Sequence, residues 1–458
     1  MTRPHVLSPR QFALAVATTS LGFFVVQLDV SIVNIALPRI GAALQGGMGG
    51  LQWVVDGYTL AFASLLLSAG ALADRIGARR VYVAGFALFT LASLACSLAP
   101  SLPLLIAARI AQGAGAALVM PSSLALLNHA TAHDSALRAR AVAWWTTAGS
   151  VALTAGPILG GVMVERLGWP SIFWVNLPVG AAGIWLALKV LPESERTGAG
   201  RGFDPMGQML SCLGLFALVG GVIEAGERGW QSPLAFGGLG AGIVLIALFL
   251  AVEHRGRAPM LPLDLFREPA FSAAILVGFA INLTVYGTIF ELGFYFQQVK
   301  HYSPAVAGLA FVPFMALVGF SNVAAGPITA RLGPRLPMIA GLLVGCAGFA
   351  LLVAANETTS YASFIWRLLF IPLGIGLAVP AMTSSLLGTV AKERGGLASG
   401  ILNTIRQIAG AMGVAGFGAL IAVGLVHGMQ VSFGLAAALL LGAALIAAMA
   451  GRRRSERP

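Results

Sequence analysis

The chain has 458 residues, of which 58% are hydrophobic and only 10% are charged. This composition is too apolar for a soluble domain, which must cover its surface with polar groups. A lipid bilayer tolerates it, and because backbone amides facing lipid must pair internally, spanning helices of about 20 residues are predicted. The three cysteines lie in separate apolar runs, which indicates neither a disulfide framework nor a metal cluster.

Charged and Pro/Gly-rich gaps divide the chain into fourteen apolar runs, with ends uncertain by roughly 2 to 4 residues. The first run is too long for the core of a signal peptide and is predicted to remain as the first helix. The runs are 12–37, 50–73, 81–99, 102–127, 141–163, 170–190, 206–224, 234–252, 270–298, 305–329, 337–355, 361–388, 397–425 and 430–450.

The distribution of Lys and Arg predicts the orientation of these helices. With a cytoplasmic N-terminus, 21 of the 28 basic residues fall on the cytoplasmic side, four fall on the other side and three lie within runs. Positive charge is retained on the cytoplasmic side, so both termini are predicted there. The net charge of +11 is therefore interpreted as topology. We expect the tail at Arg452, Arg453 and Arg454 to contact anionic lipid rather than nucleic acid.

Two cytoplasmic loops repeat each other at a fixed offset. GALADRIGARR at 70–80 and GPITARLGPR at 326–335 share glycine and arginine positions. Gly70, Arg75, Ile76, Gly77 and Arg79 recur as Gly326, Arg331, Leu332, Gly333 and Arg335, each 256 positions later. Duplicated halves with a substrate site between them are typical of secondary transporters.

Five segments in order resemble the major facilitator superfamily, and within it the fourteen-helix drug:proton antiporter branch (EmrB/QacA-like). Besides GALADRIGARR, they are LDVSIVNIALPRI at 28–40, RIAQGAGAALVMP at 109–121, AGPILGG at 155–161 and ASGILNTIRQIAGAMG at 398–413. The resemblance implies an all-α membrane protein in which two pseudo-symmetric six-helix bundles flank an inserted helix pair. The expected divisions are 1–195, 196–260 with the inserted pair, and 261–458 with the basic tail.

Asp29 and Arg109 are the predicted proton-coupling residues. An ionised side chain at mid-bilayer costs about 2.5 to 3.5 kcal/mol, so such residues are functional candidates by default. Counting about 1.5 Å per residue places Asp29, Asp56, Arg109 and Glu291 at one depth. A carboxylate whose exposure and neighbouring cation alternate can load and release a proton, and the resemblance implies this role for the first-helix acid and fourth-helix arginine. The alternative is a static ion pair that only fixes packing.

A substrate cavity is predicted near the same depth. Asp56 and Glu291 would attract a cation, and the aromatic residues near Glu291 suit a lipophilic cation. The alternatives are solvation at the membrane interface for the acids and ordinary packing for the aromatic residues. The predicted cavity residues are Asp56, Glu291, Tyr286, Phe290, Asn403 and Arg406.

Two further elements are expected to control conformation. Gly156 and Pro157, followed by Gly160 and Gly161, should kink the fifth helix, and the resemblance ties this motif to export. Ordinary tight packing is the alternative. A cytoplasmic latch is predicted at Gly70, Asp74, Arg75, Gly77 and Arg79, where Asp74 would cap the helix that begins near Gly395 and Gly396.

The sequence argues against an enzyme. Its three lysines, Lys189, Lys300 and Lys392, do not complete a phosphate-binding GK[ST] loop, and neither GxSxG nor HExxH occurs. His129 and His133 stand beside Asp134 without the further ligands that a metal site needs.

The leading hypothesis is export of a hydrophobic, cationic small molecule in exchange for protons, driven by the proton motive force without a cofactor, across a bacterial inner (plasma) membrane. Proton-coupled or facilitated transport of another metabolite is the first alternative, and a non-transporting receptor or assembly subunit is the second. The expected partners are substrate, protons and membrane lipid. The sequence leaves open whether a periplasmic adaptor and an outer-membrane channel extend the export path.

Overall fold

A computed structural model describes residues 9–131, 134–191, 193, 204–256, 260–391 and 394–455. It contains fourteen helical segments that are long and apolar enough to cross a membrane. Each corresponds to one of the fourteen apolar runs, so the predicted helical membrane architecture is confirmed. His133, Lys392 and parts of the predicted loops lie outside the described residues.

Seventeen α-helices build these fourteen segments within the described ranges. They are α1 (Pro9–Leu44), α2 (Met48–Ile76), α3 (Ala78–Ser97), α4 (Leu102–Ala130), α5 (Ser135–Leu167), α6 (Ser171–Trp174), α7 (Asn176–Val190), α8 (Pro205–Arg228), α9 (Pro233–Arg255), α10 (Pro269–Phe294), α11 (Pro304–Ala310), α12 (Val312–Leu332), α13 (Arg335–Leu352), α14 (Tyr361–Leu368), α15 (Phe370–Leu387), α16 (Gly395–Val423) and α17 (Leu425–Ser455). A 3₁₀ turn at Leu263–Arg267 precedes α10, and a π-helical turn at Tyr295–Val299 follows it.

Three of the spans are broken into two helices, which the apolar runs did not predict. The pairs are α6 with α7, α11 with α12, and α14 with α15. Pro178, Pro313 and Pro372 each follow the break by two or three residues. A proline cannot donate its backbone hydrogen bond and its ring crowds the carbonyl four residues earlier, so the helix is interrupted at that point.

The repeated cytoplasmic loops adopt the same turn. α2 ends before Gly77 and α12 ends before Gly333, and these glycines have φ angles of 102° and 72°. L-residues with side chains rarely adopt positive φ, which explains why both copies of the repeat carry glycine here.

An arginine two residues beyond each of these glycines makes an equivalent contact in each half. The Nη2 of Arg79 donates to the carbonyl of Leu188 in α7 at 2.7 Å. The Nη2 of Arg335 donates to the carbonyl of Ala448 in α17 at 2.6 Å. Each arginine thus holds the last helix of its own half, as expected for duplicated structures.

The inserted pair α8 and α9 packs mainly on itself, and α8 also contacts α2 and α16. The side chain of Gln208 donates to the carbonyl of Ser64 at 2.8 Å, and Glu227 accepts from the backbone N–H of Gly49 at 2.8 Å. These two hydrogen bonds hold both ends of α8 against α2. The predicted boundaries at 195 and 260 lie in or next to segments outside the described residues, so the domain division stays a prediction.

Candidate translocation site

Asp29 and Arg109 form a buried ion pair between α1 and α4. Arg109 Nη1 lies 2.5 Å from Asp29 Oδ2, and the two residues are 1% and 0% exposed. Arg109 also donates through Nε to the carbonyl of Val54 in α2 at 3.0 Å. The pair therefore ties three helices of the first half together at mid-membrane depth.

Uncharged polar residues complete the surroundings of Asp29. Its Oδ1 accepts from Gln112 Nε2 at 2.7 Å and from Asn176 Nδ2 at 3.0 Å. Both amides also donate to the hydroxyl of Ser93, at 2.9 and 3.3 Å. The carboxyl group of Asp29 thus accepts hydrogen bonds from Arg109, Gln112 and Asn176, which suits an ionised carboxylate because that group only accepts.

These three polar residues were not predicted from the sequence, because they carry no charge that distinguishes them within the apolar runs. Gln112 follows Arg109 by three residues, so helical spacing alone places it on the same face. Asn176 and Ser93 carry no comparable signal in the sequence.

Aromatic rings enclose the cationic side of the pair. The guanidinium carbon of Arg109 lies 4.3 Å from the centre of the Tyr58 ring and 5.9 Å from that of Phe173. Tyr58 and Arg109 line a small space that Tyr286 of α10 borders from the other half. The ion pair thus lies next to the junction of the two halves.

A cavity of about 220 Å³ lies at this junction. Residues of α1 and α5 form one wall, and residues of α10, α12, α15 and α16 form the other. Of the predicted cavity residues, Tyr286 and Arg406 line it. The other polar residues on its walls are Gln27, Ser31, Asn34, Ser150, Asn282 and Asn322.

Asp56 and Glu291 share the predicted depth but do not line this cavity. Both are 0% exposed, which excludes the alternative of interfacial solvation. Neither oxygen of Asp56 has a hydrogen-bond partner within the described residues. Glu291 instead contacts α17, where Ser432 donates to its Oε1 at 2.5 Å. An ionised carboxylate in such surroundings is costly.

Phe290 and Asn403 also lie away from the central cavity. Phe290 is fully buried and packs against Phe294, with ring centres 5.1 Å apart, which matches the packing alternative. Asn403 lines a different, cytoplasmic cavity of about 910 Å³.

This cytoplasmic cavity separates the two halves at the inner side of the membrane. The cytoplasmic ends of α2 and α4 line one side, and α16 lines the other. Gly70 and Asp74 lie on the α2 side of this cavity, and Gly395 and Gly396 lie on the α16 side. No side chain caps the start of α16. The contact predicted between Asp74 and the start of α16 is therefore not formed in this inward-facing conformation, and the latch stays a prediction.

Close packing of α5 on α11 closes the external side. A Cβ atom on Gly161 would lie 2.3 Å from the carbonyl oxygen of Pro304, and one on Gly308 would lie 2.1 Å from that of Pro157. Gly156 and Gly160 contact α1 in the same way, at Ser31 and Ile32. The glycines of the predicted antiporter motif thus let α5 approach a helix of each half.

Two further contacts between the halves lie on the external side. Gln52 of α2 donates to the carbonyls of Val414 and Ala415 in α16, at 3.1 and 2.7 Å. Gln297, in the turn after α10, donates to the carbonyl of Ile35 in α1 at 2.9 Å. Side-chain hydrogen bonds therefore join α2 to α16, and α1 to the turn after α10, on the external side.

Glu165 provides an external counterpart of the predicted cytoplasmic latch. Its Oε2 accepts from the hydroxyl of Ser303 at 2.7 Å and from the backbone N–H of Ala305 at 3.0 Å. A carboxylate at the first turn of α11 satisfies donors that the helix itself leaves unpaired. It therefore favours closure of the external side.

We expect Glu165→Ala to shift the protein away from this closed state by a few-fold. The measurement is labelling of Ser399→Cys, on the cytoplasmic cavity wall, by a membrane-impermeant maleimide in everted vesicles. Labelling should slow in Glu165→Ala and less so in Glu165→Gln, which keeps an acceptor. Equal labelling in all three proteins would show that Glu165 does not contribute to closure.

Comparison with known sequences identifies the family. The model of the Major Facilitator Superfamily matches residues 19–414. The chain is 40% identical to the multidrug resistance protein Stp of Mycobacterium tuberculosis over 89% of its own length and 76% of Stp. It is 37% identical to the methylenomycin A resistance protein of Streptomyces coelicolor, covering 89% and 85% of the two chains. It is 36% identical to the drug efflux pump JefA of M. tuberculosis, covering 91% and 81%.

Solved structures share the fold. A bacterial homologue of the human lysosomal transporter Spinster, in an inward-facing and unoccupied conformation, matches with a TM-score of 0.70 and 17% identity over 97% of this chain and 98% of that one. A peptide transporter POT in complex with sulfate matches with a TM-score of 0.73 and 14% identity over 98% and 96%. The chain belongs to the Major Facilitator Superfamily and is a multi-pass membrane transporter, not an enzyme.

Proposed function

We propose that the protein exports hydrophobic small molecules from the cytoplasm in exchange for protons, by alternating access. The observation that carries this proposal is the buried Asp29–Arg109 pair, which lies beside a cavity between two halves that are closed outside and open inside. The names of the relatives, which describe drug efflux and antibiotic resistance, support export as the direction.

Asp29 is proposed to carry the proton. In the inward-facing state its carboxylate accepts hydrogen bonds from Arg109, Gln112 and Asn176. When the external side opens, a proton that reaches Asp29 neutralises it and releases Arg109 from the pair. The freed arginine borders the space shared with Tyr286, so protonation can change the surroundings of the bound substrate.

Asp74 is proposed to stabilise the opposite, outward-facing state. It lies on the α2 side of the cytoplasmic cavity, opposite Gly395 and Gly396 of α16, and we expect closure of the cavity to bring its carboxylate to the uncapped start of α16. We expect Asp74→Asn to slow efflux several-fold and to raise the labelling of Ser399→Cys, because the outward-facing state loses a charged cap. Unchanged labelling would contradict the latch.

We propose that the protein lies in a bacterial inner (plasma) membrane, which agrees with its bacterial relatives. Partnership with a periplasmic adaptor and an outer-membrane channel remains a hypothesis. Co-purification after mild cross-linking tests it.

Efflux from everted vesicles tests the proposed function. Vesicles that contain the protein should accumulate a transported dye when a proton gradient is imposed, and a protonophore should stop the accumulation. Dye accumulation that does not depend on the proton gradient would indicate facilitated transport. Movement in the opposite direction would indicate an importer. Absence of both transport and substrate-induced proton release, across a broad panel of compounds, would indicate a receptor or assembly subunit.

A further inference from the structure

The central cavity carries one formal charge among the described residues on its walls, and that charge is positive. Arg406 of α16 lines the cavity, while the rest of the lining is apolar or consists of amides, hydroxyls and Tyr286. Within the described part of the chain, Arg406 forms none of the ion pairs, which involve other arginines. It is therefore available to a ligand.

The arginine is held in place by a neighbour that leaves most of its donors free for a ligand. Its Nε donates to Asn282 Oδ1 at 3.3 Å. A guanidinium carries five N–H donors in a planar fork, which matches a carboxylate or a similar acceptor bidentately. Asn282 lines the same cavity, so this hydrogen bond holds Arg406 at the cavity wall.

The acids that would favour a cation point elsewhere. Glu291 follows Tyr286 by five residues, which rotates its side chain about 140° away around α10. It contacts Ser432 of α17. Asp56 lies one helical turn from Gln52 and Leu60, which pack against α16 and the inserted helix α8.

A separate groove of about 670 Å³ lies between the cytoplasmic parts of α1 and α5. Ser20 in this groove and Gln27 in the central cavity are seven residues apart, hence on one face of α1. Arg140 and Trp144 line the groove from α5. This groove carries an aromatic side chain and a positive charge, but on a different face of α5 from Ser150 and Leu153 of the central cavity, so it does not bear on the charge of that cavity.

We propose that the substrates of this transporter are amphipathic organic anions, bound through an acidic group on Arg406. This inference rests on the proposed function and names its substrate class. It replaces the cation expected from sequence, because that expectation required Asp56 and Glu291 to line the cavity. The buried, unpartnered Oδ1 of Asn322 on the cavity wall adds an acceptor, so a hydroxyl or amine donor on the anion is favoured.

Two xanthene dyes of opposite charge test the proposal. Fluorescein is an anion and rhodamine 123 is a cation with a closely related ring system. Binding of each dye to the purified full chain in nanodiscs is measured by fluorescence anisotropy, and transport is measured in everted vesicles. The variants are Arg406→Gln and Arg406→Lys. Arg367→Gln is the matched control, because Arg367 stacks on Trp366 outside the cavity.

We expect the wild-type chain to bind and export fluorescein in preference to rhodamine 123. Arg406→Gln should weaken fluorescein binding roughly tenfold to a hundredfold, the range for a hydrogen bond to a charged group. Arg406→Lys should restore part of it, and Arg367→Gln should change nothing.

Preference for rhodamine 123, or fluorescein binding that is unaffected in Arg406→Gln, would overturn the anion proposal while leaving proton-driven export intact. Export of neither dye would count against the proposed function. In that case the binding comparison still decides whether Arg406 selects anions.

Discussion

Replacing Asp29 with asparagine should lower proton-driven efflux at least a hundredfold. Asparagine has nearly the shape of aspartate and keeps an oxygen that Gln112 and Asn176 can reach. It cannot exchange a proton, however, and it leaves Arg109 without its counter-charge. Because loss of the exchangeable proton removes the coupling itself, we expect loss of turnover rather than a weaker apparent affinity for substrate.

The measurement is dye accumulation in everted vesicles, together with the proton release that substrate addition causes in purified protein. Both signals should disappear in Asp29→Asn. Asp264→Asn is the matched control, since it makes the same chemical change in an exposed ion pair with Arg394, and exposed pairs contribute little. Its efflux should equal that of the wild type.

Folding must be separated from coupling in this experiment. Removing one partner of a buried pair costs about 3 to 5 kcal/mol, because the other charge stays buried alone. The double variant Asp29→Asn with Arg109→Gln removes that unpaired charge. It should recover thermal stability without recovering efflux. Recovery of proton-linked efflux would show that the pair serves packing only.

The sequence predicted the ion pair and only part of the cavity, for a geometric reason. Charges within apolar runs are rare, and counting residues along a helix gives their depth. Depth alone does not give the direction in which a side chain points around the helix axis. Asp29 and Arg109 share both depth and direction, whereas Glu291 shares only depth and contacts α17.

The external closure was not predicted because, apart from Glu165, its parts are uncharged or backbone groups. Gly161 and Gly308 contact carbonyl oxygens of the facing helix, and Gln52 also donates to backbone carbonyls. Such contacts depend on which helices cross, and a single sequence does not specify the crossings. The glycine motif was nevertheless assigned to the correct helix, because its spacing and order match the family.

An anionic substrate would change the energetics of exchange. Moving one elementary charge across the membrane corresponds to about 2.3 kcal/mol per 100 mV. A proton that enters and a monovalent anion that leaves move charge in the same electrical direction, so the two contributions add. A cation that leaves would cancel the contribution of the entering proton. If Arg406 selects anions as proposed, the charge of the selected substrate adds to the driving force of the entering proton.

Replacing Gly161 with valine should prevent closure of the external side and lower efflux at least tenfold. The Cβ position lies 2.3 Å from the Pro304 carbonyl oxygen and 2.9 Å from the Ala305 Cα, and these backbone atoms cannot yield as a flexible side chain would. α5 and α11 must therefore separate. The protein should then populate outward-facing states, in which the cytoplasmic cavity is closed.

Labelling of Ser399→Cys in everted vesicles measures this shift, in a background that lacks the native cysteines. We expect Gly161→Val to slow labelling strongly, in the same direction as Glu165→Ala but with a larger effect, because a steric clash replaces the loss of two hydrogen bonds. Gly319→Val is the matched control, since no atom lies within 4 Å of its Cβ position on α12. If Gly161→Val labelled and transported like Gly319→Val, the α5–α11 crossing would not be the external gate, and Gln52 and Gln297 would be the next contacts to test.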